Sequence, residues 1–313
     1  MSMKINNTRK ISHITQNNDE IMKNKSIDEK NNAKHMMDDV INKFKDLNVK
    51  RDHEKNDVTK NEIIDLFNAN VKGKQFIKQN ESHDGEEGYW LEKNMNVKIN
   101  SSNLPDLGGY EMKKDSKKIT FGDWSADEYL FSNKHNILND INGENIMLTK
   151  EQFIKSFGNK TKDKTNRYSW SGSCVPKYGV WNSCGQIIKI DKNNNIVIMY
   201  SYNKDDRKSE INKKWENREI CIALWTYNKL KNNVERKFNQ KGFFICKKNK
   251  EGFYDKICFG SPISCELFLN KIKDGSIFFD SGMYFDFDKP NNRLYSQWRA
   301  NNKFWNDLII EDF

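Results

Sequence analysis

The stretch Pro105-Asp106-Leu107-Gly108-Gly109-Tyr110-Glu111-Met112-Lys113 sets two carboxylates and one amine around a pair of glycines. Adjacent glycines favour a two-residue turn, because both central positions accept positive φ. Such a turn pairs Leu107 with Tyr110 and sets Asp106 opposite Glu111. Opposed residues share one side of a sheet, about 5 Å apart at Cβ, and alternation puts Lys113 on that side while Tyr110 and Met112 face an apolar layer. Asp106, Glu111 and Lys113 are therefore expected to converge. Opposed carboxylates repel, and a hard divalent cation with oxygen ligands relieves the repulsion. Metal-dependent phosphodiester cleavage needs acidic ligands that hold Mg²⁺ against a phosphate oxygen, and a cation that orients water or stabilises the developing charge. Asp106 and Glu111 are the expected metal ligands and Lys113 the expected cation. A surface hairpin with a salt-bridged lysine would show the same spacing.

The elements around this stretch must position it. Thr59 and Glu62 have capping-box spacing ahead of Ile63, Ile64, Leu66 and Phe67, which predicts a helix. A second helix is expected over Glu86 to Lys93, with Leu91 and Met95 on its inner face and Glu92 at the edge of that face. Lys118 to Phe121 reads as a strand beside the hairpin. Farther on, Thr149 caps a helix to Phe157, and Arg167 to Gly185 reads as an ordered, irregular segment. Strands are expected at Gln186–Ile190, Ile196–Tyr202 and Glu219–Tyr227. Gly242–Cys246 and Gly252–Phe259 suggest a hairpin, Cys265–Lys273 a helix, Ser276–Asp286 a final hairpin, and Phe304, Trp305, Leu308 and Ile309 a closing helix. The pattern predicts an α/β (α+β) domain with a mixed central sheet flanked by helices.

Residues 1–58 are polar and contain one aromatic residue, Phe44, so they read as a disordered or partly helical leader, with an amphipathic pattern over Met36–Leu47. Residues 59–313 are expected to form the folded domain, with a catalytic part at about 59–125 and a binding part at about 126–313. The net charge is +9, and it is uneven. Between Lys160 and Glu251 there are 21 Lys and Arg against 9 Asp and Glu, so the rest of the chain is slightly acidic and the basic middle region suggests a polyanionic partner. An AT-rich genome explains the global excess of lysine as well, but explains its clustering less. The six cysteines include no Cys-x-x-Cys pair, and all five histidines lie at or before His135, which excludes zinc-finger spacing. With no signal peptide and no apolar run near 18 residues, the chain reads as cytoplasmic, free of membrane, with reduced thiols.

Gly88-Tyr89-Trp90-Leu91-Glu92, then Asn100 to Asn103, then the Pro105–Lys113 stretch, with Gly275–Asp280 and Tyr295–Arg299 near the end, resemble the MvaI/BcnI-type restriction endonucleases, in the MutH-like branch of the PD-(D/E)XK nucleases. The likeness runs from about residue 60 onward. It implies a PD-(D/E)XK nuclease core, Mg²⁺-dependent cleavage of double-stranded DNA at a short specific sequence, and enzymes that act as monomers. A cognate DNA methyltransferase encoded alongside is the partner such enzymes imply. By motif, Asp106, Glu111 and Lys113 correspond to the catalytic set and Glu92 to the helix glutamate that supports it. The leader before Thr59 and the charged Lys114-Asp115 pair depart from the pattern.

Site-specific cutting needs phosphate contacts that place the protein and base-edge contacts that read sequence. Arg167 and Lys177, in loops mixing cations, aromatics and glycines, are the expected phosphate contacts, while Trp170 and Trp181 read as packing residues. Arg293, Tyr295, Gln297 and Arg299 alternate before the closing helix. Gln297 and Arg299 are of the types that pair bidentately with adenine and guanine edges. Two other readings compete: a non-catalytic nucleic-acid-binding protein on a nuclease fold, and a strand-nicking repair endonuclease of the MutH kind.

Overall fold

Thr59 opens the folded chain with both halves of its capping box formed: its hydroxyl accepts from the Glu62 amide, and the Glu62 carboxylate accepts from the Thr59 amide. The computed structural model describes residues 58–79, 85–98, 102–162, 166–289, 292–293 and 296–313. The leader with its 36–47 pattern, and Tyr295, lie outside the described residues.

In chain order the elements are α1 (Lys60–Asn70), α2 (Glu86–Asn94), β1 (Glu111–Lys114), β2 (Lys118–Gly122), β3 (Glu128–Tyr129), α3 (Ile137–Asn142) and α4 (Lys150–Phe157). Then come β4 (Asn159–Lys160), β5 (Arg167–Trp170), β6 (Cys184–Ile190), β7 (Ile196–Asp205), β8 (Glu219–Trp225) and α5 (Tyr227–Phe238). The chain closes with β9 (Phe243–Lys248), β10 (Tyr254–Gly260), α6 (Cys265–Lys273), β11 (Ile277–Asp280), β12 (Met283–Asp286), β13 (Gln297–Asn301), α7 (Asn302–Asp307) and β14 (Ile309–Asp312).

The mixed sheet has the order β1-β9-β10-β14, with β1 parallel to β9 and the other pairs antiparallel. It separates two apolar layers. Phe244 and Cys246 of β9 point into the smaller one with Met112, Leu91, Met95 and Phe67, while Phe243 and Ile245 point into the larger one. Register places Glu111 beside Phe243 and Lys113 beside Ile245, so both charged side chains are on the large-core face, at its rim. Among the described residues the rest of the β structure forms three further sheets: β11-β13-β2, β12-β5-β4 and β3-β8-β7-β6.

Several expectations are corrected here. β2 does not lie beside the hairpin; it pairs with β13, because Ile119 and Phe121 are apolar and alternate into the large core. Ser276–Asp286 is not a hairpin either, since β11 joins β13 and β12 joins β5. The strand expected to reach Tyr227 ends at Trp225, and Thr226 caps α5, an element the sequence reading left out. Finally, Cys174 and Cys184 form a disulfide, contrary to the expectation of reduced thiols, and Cys221, Cys246, Cys258 and Cys265 are free and buried.

Candidate active site

The Gly-Gly turn forms as its composition requires. Gly108 and Gly109 have φ of +53° and +84°, and Leu107 and Tyr110 exchange amide hydrogen bonds of 3.1 and 2.8 Å. The hairpin ends at that pair. β1 turns to β9 instead, and the Glu111 amide donates to the Gly242 carbonyl at 3.1 Å. The next amide, that of Met112, points to the open edge of the strand, where Asp106 Oδ2 accepts it at 2.9 Å. Asp106 thus reaches the site through its side chain, and not from a ladder position opposite Glu111.

Glu111 and Lys113 are buried, at 3% and 8% exposure. Lys113 Nζ lies 2.8 Å from Glu111 Oε1 and 5.2 Å from the centre of the Phe238 ring. A second ammonium, Lys237 Nζ, reaches the same Oε1 at 3.1 Å from the last turn of α5. Glu111 Oε2 is buried and has no hydrogen-bond partner among the described residues. Burial, and then the Glu111 charge, push the Asp106 carboxyl up to about 7, with Lys113, the Met112 amide and Lys237 pulling the other way. Glu92 is raised for the same two reasons in the same order. Lys113 is lowered by burial, against the pull of Glu111 and with the push of Lys237. These mutual effects bring Glu92, Asp106, Glu111, Lys113 and Lys237 into one electrostatic cluster.

Helix α2 is fixed where Glu92 needs it. Leu91 and Met95 are fully buried, and Trp90 stacks on Tyr254 at 5.5 Å between ring centres. One turn and a half earlier, Glu87 accepts from Lys114 of β1 at 3.0 Å, from Lys248 of β9 at 2.7 Å and from the Tyr254 hydroxyl at 3.0 Å. Burial raises the Glu87 carboxyl, but the Lys248 and Lys114 hydrogen bonds outweigh it and hold the group below its ordinary range. Helix α5 is anchored through Leu230, Val234 and Phe238. Its start is tied to Asp127, which accepts from the Thr226 amide at 2.7 Å, and its Asn233 carbonyl accepts from Asn103 at 3.0 Å.

Lys237 is the site residue that sequence reasoning missed. Thr226 followed by Leu230, Val234 and Phe238 at intervals of four is a capped amphipathic helix, and recognising it would have placed Lys237 beside Phe238.

Among the described residues, no group of three or more His, Cys, Asp or Glu side chains is arranged to enclose a metal ion alone. The donors nevertheless fit a small hard cation. Mg²⁺ is commonly held by one or two carboxylates with water and substrate phosphate as the remaining ligands, and the buried, unpartnered Glu111 Oε2 is an oxygen lacking such a partner.

The expected DNA contacts lie elsewhere. Arg167, on β5, packs its guanidinium 3.9 Å from the Tyr284 ring centre. Lys177 is exposed on a turn closed by a bridge to Val180. Trp170 is fully buried, and donates to Gln186 and to the Cys174 carbonyl. Gln297 and Arg299 are adjacent on one face of β13 and are bound to each other: Arg299 donates to Gln297 Oε1 from Nε at 3.0 Å and from a terminal nitrogen at 2.7 Å. Gln297 also donates to Asp123, and Arg299 pairs with Asp280 at 3.5 Å.

A mixed sheet whose edge strand carries Glu-x-Lys, with an aspartate folded back onto it, is the arrangement of a PD-(D/E)XK nuclease. The family model described as LlaMI restriction endonuclease matches residues 69–313, and the chain belongs to that family. It is 41% identical over 270 residues to the type II restriction enzyme ScrFI of Lactococcus lactis subsp. cremoris, a match spanning 80% of this chain and 97% of that protein. Its fold is similar to that of the restriction endonuclease MvaI in complex with its cognate DNA substrate, with a TM-score of 0.55 at 14% identity, covering 82% of this chain and 98% of that one. Among the described residues, no helix is long and apolar enough to cross a membrane.

Proposed function

We propose that the chain is a type II restriction endonuclease that hydrolyses double-stranded DNA at a specific sequence, using Mg²⁺ held by Asp106 and Glu111. The observation that carries this reading is the pair of buried groups Glu111 and Lys113 on one edge strand, with Asp106 folded back onto the Met112 amide between them and Glu111 Oε2 unpartnered among the described residues. A bound divalent cation supplies Lewis-acid polarisation of the scissile phosphate and neutralises charge in the transition state. Asp106 must be ionised to serve as its ligand. Lys113, held by Glu111 at 2.8 Å, is fixed where its ammonium can orient the attacking water or donate to the oxygens of the phosphorane. Glu92 supports the acidic cluster from α2. Arg167 and Lys177 serve as phosphate contacts. Gln297 and Arg299 read base edges, exchanging their present hydrogen bonds for those of DNA. The protein acts in the cytoplasm as a monomer, with a cognate methyltransferase protecting host DNA.

The test is plasmid cleavage with Mg²⁺ by the wild type and by Lys113→Ala. The variant should lose at least about 10²–10³ in single-turnover rate, by analogy with removal of one transition-state donor. Equal rates, or no cleavage by the wild type with any divalent metal, would refute the assignment.

A further inference from the structure

Glu111 is held by two ammoniums, and only one comes from its own strand. Lys113 and Lys237 both contact Oε1, at 2.8 and 3.1 Å, while Oε2 meets no donor among the described residues. Glu92 and Asp106 add two more carboxyl groups to the same cluster. Carboxylates gathered in a partly desolvated space repel unless cations stand among them. From these contacts we propose that Lys237 is a positioning residue acting through Glu111: it takes the place of the metal while the metal is absent, and competes with it for that carboxylate. The inference rests on the reading of Asp106 and Glu111 as metal ligands.

The two lysines are not equivalent. Lys113 is buried within β1 and sits over the Phe238 ring, so it has nowhere to retreat. Lys237 comes from the end of a helix on a flexible stem, its side chain 16% exposed. A divalent cation arriving at Oε2 meets both ammoniums across one carboxylate, and Lys237 is the one able to swing toward solvent. A lysine in the last turn of a helix also complements the helix dipole. That role alone would leave metal binding unchanged.

The measurement is Mn²⁺ binding to the full chain without DNA, followed by electron paramagnetic resonance, for the wild type, Lys237→Met, Lys237→Arg and Lys231→Met. Giving up an ammonium–carboxylate contact of 3.1 Å should weaken cation binding about tenfold even under water-like screening, so Lys237→Met, which has no such contact to give up, should bind Mn²⁺ about that much more tightly. Lys237→Arg should match the wild type. Lys231→Met, which loses the same charge from an exposed position on the same helix, should match it too. Lys237→Gln carries the same expectation as the methionine variant and serves if that variant does not fold. Unchanged or weaker binding on neutralising Lys237, or equal tightening by Lys231→Met, overturns the inference while leaving the metal reading intact. A wild type with no saturable, Glu111→Gln-sensitive Mn²⁺ binding overturns both.

Discussion

Asp106 carries two demands that oppose each other. It caps the Met112 amide from a half-buried position beside Glu111, and to hold a cation as proposed it must be ionised. Its folded-state value of about 7 lies well above its ordinary 3.8, so the native protein holds this proton more tightly than the unfolded chain does. The stability that difference contributes is fully present below about pH 4 and is lost as pH rises toward 7. Three pH units correspond to about 4 kcal/mol if fully expressed, and the partial exposure of Asp106 reduces this to about 1–3 kcal/mol. Asp106→Asn keeps an acceptor for the Met112 amide and removes the titration. It should be more stable than the wild type at pH 8 in metal-free buffer, by up to that amount, and show no such gain at pH 4; denaturant titrations at the two values test this. Divalent-metal affinity of the wild type should rise over the same range, since the cation competes with the proton.

At the scale of elements, the turn before β1 is the most constrained piece of the site. Gly108 combines a φ of +53° with a backbone approach so close that an added Cβ would sit 2.0 Å from the Val58 carbonyl oxygen. Gly108→Ala should therefore destabilise the protein by more than about 2 kcal/mol, from backbone strain and overpacking together. It should also weaken Mn²⁺ binding by moving Asp106; thermal melts and metal titration check both effects. This turn was legible in the sequence because Gly-Gly states its geometry outright, and so were α1 and α4 from their capping boxes and α2 from its apolar spacing, all of them local signals. The pairing of β1 with β9 was not legible. Their contact spans some 130 residues, and nothing in Glu111–Lys114 names a parallel partner. Reading the stretch as a longer hairpin followed from assuming that neighbours in sequence pair in space. α5 went unread because seven of its twelve residues are Asn, Lys or Arg, which hid the Leu230, Val234, Phe238 face.

At the scale of the molecule, residues 58–313 form one compact unit, and the family match begins within it, at residue 69. A chain comprising residues 58–313 should accordingly fold cooperatively and cleave DNA at the site chosen by the full-length protein. Comparing melts and the sequenced ends of digested DNA checks this, and a shorter chain that folds but does not cut would give the first 57 residues a part in the reaction. The charge asymmetry told of a polyanionic partner, but not of how DNA is read. Gln297 and Arg299 are spent on each other, on Asp123 and on Asp280, contacts that no spacing rule foretells.

The open edge of β1 affects how an inactive control should be made. Asp106 is what occupies the outward amide of Met112, at the end of the sheet order where no further strand supplies an acceptor among the described residues. Alanine at this position would delete the proposed metal ligand and leave the Met112 amide without its acceptor, so two losses would be read as one. Asparagine separates the two losses, and any comparison of DNA binding between active and inactive forms is cleaner with it.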